Sequence, residues 1–506
     1  MVAVGAAAAG SGGCFFLSAG AGTGKTYTLD LLINELRGAG KTVAAMASSG
    51  IAAQLLPAPS GTIHSTLGVS IDIATQETPR LGLDAAGKLA DRRRVLGTDV
   101  FVVDEACMSH KAIFEALDTS LREMARSVED GGLGPAWNPM SCTAPLYCRP
   151  FGGKTVVLAG HWAQCLPVVA RGSRADITAA CVFNAAFWPD VSVFRLTENF
   201  RLRGASGAAQ HAAFLENVAE GRCDDLASGA LGRLPGGGGV LTLPDSMLCV
   251  DSELSGWVYD GSEQTVRAAD FASESYYAFW TARAILAPHR ATVATCNGDV
   301  MERLFPDVEE LLSSDTVCDA GDDGKDPGTG YGEEELNGLW PGGMPPHKLG
   351  VCAGMPVMCT MNLPHLGVFN GSRLIVLKVH KSSTTGAPLF VICSVWREGD
   401  LSGREVVIPR AKVVSKSDDV PFGWVRQQFP LQLCFAMTIN KAQGQTLRSR
   451  VGVVLTSPVW THGQTYVALG RVTDPANLRV ATPANGTAVV NVVYKDVLAV
   501  GEARGV

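Results

Sequence analysis

Residues 14–26 read CFFLSAGAGTGKT, and no other stretch restricts the fold of this chain so tightly. An apolar run, CFFLS, ends in a glycine-rich turn. The turn opens into LDLLINELR (29–37), whose apolar residues recur with a helical period. Strand, turn and helix in that order bring backbone N–H groups and the positive end of a helix dipole to one point, which is what a phosphate needs. Gly20, Ala21, Gly22, Thr23 and Gly24 form the cradle. Lys25 would reach the β- and γ-phosphates, and the Thr26 hydroxyl would bind Mg²⁺. The strict pattern has glycine at position 19, where this chain has Ala19; Gly20, Gly22 and Gly24 are expected to supply the freedom the turn requires.

The rest of the first 200 residues fits that start. TVAAMA (42–47), VFVVDEA (100–106), KTVVLAG (154–160) and VSVFRL (191–196) read as buried strands, and KAIFEALDTSLREMA (111–125) as a helix. Strands alternating with helices predict an α/β fold with a mainly parallel sheet. The strand at 100–106 ends in Asp104 and Glu105, which fits a magnesium-holding carboxylate and a second one that polarises an attacking water. The Gly-, Pro- and Cys-rich stretch 127–152 is expected to be a long surface loop.

Bulk properties set wider limits. A chain of 506 residues has material for roughly three domains. No apolar run reaches the ~18 residues of a membrane span. The start, MVAVGAAAAGSGGCFFL, lacks the basic region of a signal peptide. Fourteen cysteines without CxxC pairs suggest reduced thiols in an intracellular compartment. The net charge of −7 conceals an asymmetry. Residues 299–335 carry 13 Asp/Glu against 2 Lys/Arg, whereas 373–450 carry 12 Lys/Arg against 5 Asp/Glu. A basic groove on an acidic body and two solvated faces both fit that distribution. The segment 313–335 is the expected flexible insertion. From 351 to 414 the pattern turns to short β-rich runs at 355–360, 373–379, 389–396 and 405–414, as in a small barrel set into a larger fold.

Further stretches recur in a fixed order: ASSGIAAQLLPAPSGTIHSTLGV (47–69), DEACMS (104–109), GHWAQCLPV (160–168), LTENFRL (196–202), LNGLWPGGMPPHKLGVCAGMPVMCTMNL (336–363), FNGSRLIV (369–376), RQQFPLQLCFAMTINKAQGQTL (426–447) and HGQTYVALGRV (462–472). Together they resemble the PIF family of superfamily-one 5′-to-3′ DNA helicases, nearest the helicase domains of Helitron-type transposons. The likeness runs over about residues 14–498. It implies a P-loop NTPase with two RecA-like motor lobes and a small SH3-like β-barrel inserted in the second. The expected divisions are 1–195, 196–350, 351–425 (the barrel) and 426–506. Implied cofactors are ATP and Mg²⁺. Implied partners are single-stranded DNA and duplex junctions, engaged by a monomeric motor with no membrane association. The implied compartment is the nucleus, or else the mitochondrion.

The resemblance also assigns roles. Gln164 would sense the γ-phosphate, and Arg201 and Arg471 would reach it from the second lobe, stabilising charge only when the cleft closes. Phe200 would stack on adenine, while Gly444 and Gln445 lie where the nucleotide and DNA sites communicate. Thr62 and His64, with Thr438, Asn440 and Lys441, resemble contacts to the single strand, and the basic excess at 373–450 would line its path. From a different class comes a non-catalytic DNA-binding remnant of a transposon helicase; a third reading is a translocase that unwinds poorly.

Several positions depart from the family pattern. About 13 residues precede the first strand, where an adenine-reading Gln motif is usual in the family, so the resemblance does not carry adenine specificity over to this chain. Gly470 replaces a Ser, and ASSG (47–50) an APTG-like sequence. His161 and Cys165 have the four-residue spacing of two metal ligands on a helix, but they fall in a GDFxQxLPV-like motif in which Gln164 is the working residue. His161 there stands in place of Asp, a neutral group for a charged one.

Overall fold

The computed structural model describes residues 1–506 apart from 11, 84–87, 130–144, 201–206, 223–237, 268–269, 318–331, 342, 397–402, 416–422 and 503–506. Its first sheet has six parallel strands: β1 (Gly13–Ala19), β2 (Val43–Ala47), β3 (Ser60–Thr62), β4 (Val100–Asp104), β5 (Thr155–Gly160) and β6 (Val191–Leu196), in the order β3-β2-β4-β5-β1-β6. β4 and β5 are buried along their whole length, as expected of parallel strands covered on both faces. Phe16, Phe101 and Phe114 fill one side of the sheet, and Leu29, Ile33, Val100 and Val102 the other. Because every strand runs the same way, the segments that follow β1, β4, β5 and β6 all emerge at one edge. In open parallel sheets that edge is where ligands bind.

A second parallel sheet has the order Ala436–Thr438, Ala284–Ala287, Val451–Val454, Leu478–Ala481. Between its first two strands in sequence lies antiparallel β structure. Arg404–Pro409, Pro388–Val395, Arg373–Lys381, Pro356–Cys359 and Leu431–Leu433 form one sheet, and Ser314–Val317, Trp424–Gln428 and Ala411–Ser415 another. The final segment crosses back: Tyr494 and Val497 pack into the first-sheet core, and Asp496 pairs with Arg174.

Local expectations change in five places. The run 405–414 is two strands in two sheets. Pro409 has no amide to continue the ladder, and the Arg410 guanidinium donates to the Leu312 carbonyl at 2.8 Å, holding the chain at the crossover. The segment 313–335 begins as a strand, not an insertion, because Asp315 is a buried partner of Arg426. Residues 318–331 lie outside the described residues. In 127–152, the first three residues continue the helix Lys111–Glu129, and 146–153 forms 3-10 turns with Phe151 buried. Arg373 and Arg426 are buried as well, the former donating to four backbone carbonyls, so part of the basic excess is interior wiring and not a DNA track. Lastly, His161–Val169 is irregular, so His161 and Cys165 share no helical face.

Candidate nucleotide site

After Ala19 the chain turns through Gly22 and Gly24, both left-handed with φ of 80° and 87°, into the helix Lys25–Gly38. A side chain at either would strain the turn. Gly20 does not use that region: a Cβ there would make only ordinary contacts, so two glycines rather than three shape the loop. The Thr23 hydroxyl donates to the Gly20 carbonyl at 2.9 Å and closes the cradle.

Lys25 is buried and points back at the end of β4. Its Nζ donates to Asp104 Oδ1 and, at 2.6 Å, to Glu105 Oε1. Glu105 sits at φ 52°, a sparsely populated conformation costing on the order of 1 kcal/mol that functional sites tend to carry. The Asp104 carboxylate also accepts the Glu105 amide at 2.7 Å. Burial disfavours the Lys25 ammonium, but the two carboxylates outweigh it and hold its pKa above the usual lysine range. Burial raises Asp104; in Glu105 burial is outweighed by Lys25, and its pKa is lowered.

From the opposite lobe comes a residue that motif reading passed over. Gln443 Nε2 donates to Glu105 Oε2 at 3.0 Å and to Gln164 Oε1 at 2.9 Å, joining the two sheets through one amide. The signal was present, since Gln443 directly precedes the flagged Gly444 and Gln445. Tyr466 was passed over too. Its hydroxyl accepts the Ala21 amide at 3.0 Å and its ring lies against His161, while Asn199 Nδ2 donates to the Ala21 carbonyl at 3.0 Å.

A cleft of about 790 Å³ is lined by Gly24, Thr26, Glu105, Gln164, Gly444 and Arg471 among others. Arg471 is 2% exposed and donates to the Val467 and Gln445 carbonyls, with its charge felt at Glu105. Exposed Phe200 lines the same cleft, its amide donating to the Gly22 carbonyl at 2.7 Å. Arg201 lies outside the described residues. The site fits a nucleotide and a hard cation. Thr26 and Asp104 offer oxygen ligands suited to Mg²⁺, and buried Gln443 Oε1 has no partner among the described residues, an acceptor left for a bound group.

The strand-binding candidates do not gather at this site. Thr62 and Thr438 end the edge strand of their respective sheets, each starting a short helix. The Thr62 hydroxyl accepts the Ser65 amide at 3.3 Å as a cap, and His64 is exposed. Asn440 Oδ1 accepts from Gln464 Nε2 at 2.9 Å. Burial, then Arg290, brings the Lys441 pKa down to about 8.

Two histidines where the lobes meet make stability depend on acid. His462 Nδ1 accepts the Tyr494 amide at 2.8 Å, which leaves Nε2–H to donate to the Trp162 carbonyl at 2.6 Å; the neutral ring is thereby fixed. Burial pushes both His161 and His462 down to about 4. Between pH 6.5 and 4 the unfolded chain takes up protons that the folded one refuses, so stability falls as pH is lowered through that window. Urea midpoints across it should drop for the wild type and drop less for His462→Gln. An identical slope in both would reject the assignment.

Two parallel sheets, a phosphate loop and a buried Lys–Asp–Glu cluster reached by a residue of the other lobe define a two-lobed P-loop fold with a candidate nucleotide site where the lobes meet. The family model of PIF1-like helicases matches residues 1–228. The chain is 27% identical to the ATP-dependent DNA helicase PIF7 of Trypanosoma brucei brucei, over 92% of this chain and 44% of that protein. It is 26% identical to the ATP-dependent DNA helicase PIF1 of Emericella nidulans, over 93% and 58%. The crystal structure of the Pif1 helicase from Candida albicans superposes with a TM-score of 0.61 at 22% identity, covering 97% of this chain and 95% of that one. The likeness to PIF1-like helicases thus covers the first 228 residues by family model and 97% of the chain by fold. The chain spans 44%, 26% and 58% of the length of the first curated relatives it matches.

Proposed function

We propose that this chain is an ATP-dependent DNA helicase that moves 5′ to 3′ along single-stranded DNA and separates the duplex ahead. One observation carries the proposal: Gln443 of the second lobe is bonded to both Glu105 and Gln164 of the first. A triphosphatase needs no such link. A motor does, because movement of one lobe must change the chemistry in the other.

In this reading the loop amides and Lys25 bind the phosphates, so Lys25 exchanges its carboxylate partners for the nucleotide. Thr26 and Asp104 hold Mg²⁺, which supplies charge neutralisation at the phosphates. Glu105, freed of Lys25, orients the attacking water, with Gln164 and Gln443 fixing its direction. Arg201 and Arg471 contribute positive charge from the second lobe, and Phe200 packs against the base. Thr62, His64, Thr438, Asn440 and Lys441 hold the strand. The motor acts as a monomer in the nucleus, in repair, recombination, telomere maintenance or transposition. Placement near the Helitron-type branch rests on the motif sequences alone.

ATP turnover with and without single-stranded DNA tests the reading, with Lys25→Ala as control. Turnover should rise with DNA and fall at least about 10²-fold in the variant. No stimulation above that control would sink the motor. A 5′-tailed duplex should unwind while a 3′-tailed one stays intact, and the opposite preference would reject the polarity. His161 tests the coupling. Its neutral ring stands beside Tyr466, which reaches the phosphate loop. His161→Asp restores the family's charge and is expected to increase base pairs opened per ATP; equal yields would show that the histidine costs nothing.

A further inference from the structure

Most tryptophans among the described residues are buried or half-buried; Trp340 and Trp460, at 42% and 51%, are the exposed ones. Both stand beside one short segment, Pro288–Arg290, which follows the parallel strand Ala284–Ala287. The Trp460 indole donates to the Pro288 carbonyl at 3.3 Å, and the Arg290 guanidinium lies 4.8 Å above the Trp340 ring. Trp340 is fixed by its own indole N–H, which donates to the Met344 carbonyl at 2.8 Å. Each ring is therefore held in place by its polar edge and still presents apolar surface to solvent.

The rings also connect to the proposed strand contacts. The Trp460 amide donates to Gln464 Oε1 at 3.1 Å, and Gln464 in turn donates to Asn440. Arg290 is near enough to Lys441 to depress it. Two fixed aromatic rings interleaved with two cations match a single-stranded nucleic acid, whose bases stack and whose phosphates are anionic.

We propose that Trp340 and Trp460, held beside the Pro288–Arg290 segment, form a base-stacking platform on the second lobe, with Arg290 and Lys441 taking the adjoining phosphates. The proposal rests on the DNA-motor reading and names how that motor grips bases without reading them. Stacking is sequence-tolerant, since every base has a π face.

Binding of a dye-labelled oligonucleotide of about 12 nucleotides tests it, in three forms: DNA, RNA and DNA with abasic sites throughout. Trp340→Ala and Trp460→Ala should each weaken base-bearing DNA by roughly fivefold or more, while Trp340→Phe and Trp460→Phe retain binding. All four should bind the abasic strand as the wild type does. Alanine variants that match the wild type on base-bearing DNA would overturn the platform. So would an equal loss on the abasic strand, which would mark a disturbed fold. Should Trp460→Ala fail to fold, the Trp340 pair decides alone. An equal loss on RNA supports a platform that serves both sugars; a loss on RNA only would overturn its place in the DNA track. DNA stimulation of ATP turnover in the wild type reports the motor separately, so failure of the motor and failure of the platform are distinguishable.

Discussion

Gln443→Ala is expected to lower DNA-stimulated ATP turnover by about 10²-fold or more while leaving nucleotide affinity little changed. Gln443 lies on neither the phosphate loop nor its helix, so the ground-state grip on phosphates does not depend on it. What it holds is the direction of two groups aimed at the reaction: Glu105, through Oε2, and Gln164, through Oε1. Without it both buried acceptors lose a donor, and Glu105, already pulled by Lys25, has nothing to counter that pull. Steady-state turnover with and without DNA, together with binding of a fluorescent nucleotide, separates the effects. If affinity and turnover fall together, Gln443 is supporting the fold of the cleft, and the link between lobes is not the coupling element. Gln443→Glu sharpens the test. It keeps the shape but sets a carboxylate against Glu105, and should fare no better than alanine.

Arg426→Ala should have the largest effect on stability, a loss of about 3–5 kcal/mol in urea unfolding, because it leaves Asp315 charged and unpaired in the interior. Both side chains are inaccessible to solvent. The guanidinium makes contacts of 2.9 Å and 3.1 Å from Nε and 2.6 Å from Nη2 to the carboxylate. It also donates to the Pro345 and Leu336 carbonyls and lies 4.9 Å from the Trp424 ring centroid. Replacing both partners by apolar groups, Asp315→Leu with Arg426→Met, should recover much of the loss, since neither buried charge then lacks a partner. A single-variant loss below about 1 kcal/mol would show that the site admits water.

That ion pair marks where sequence reading stopped. Asp315 falls in a run of acidic residues and Arg426 in a basic one, and average charge made them look like opposite surfaces. Neighbouring antiparallel strands bring them into register instead, with Asp315 directly across from Arg426. Periodicity within a strand says which residues share a face but not which distant strand will lie alongside. The same limit hid the break at Pro409, where one apolar run serves two sheets, and the return of Tyr494 and Val497 to the first core.

The sequence by itself determined the elements whose chemistry is local. The phosphate loop, the strand ending in Asp104 and Glu105, and the parallel α/β frame follow from adjacent residues and short periods. Their functional groups meet because all the strands of a parallel sheet deliver their ends to one edge. Tertiary structure alone decided which distant segments meet: Gln443 between Glu105 and Gln164, Tyr466 on the Ala21 amide, and two exposed tryptophans beside the Pro288–Arg290 segment. These contacts join residues from about 50 to more than 400 positions apart in the chain, and no local pattern encodes a partner so far away.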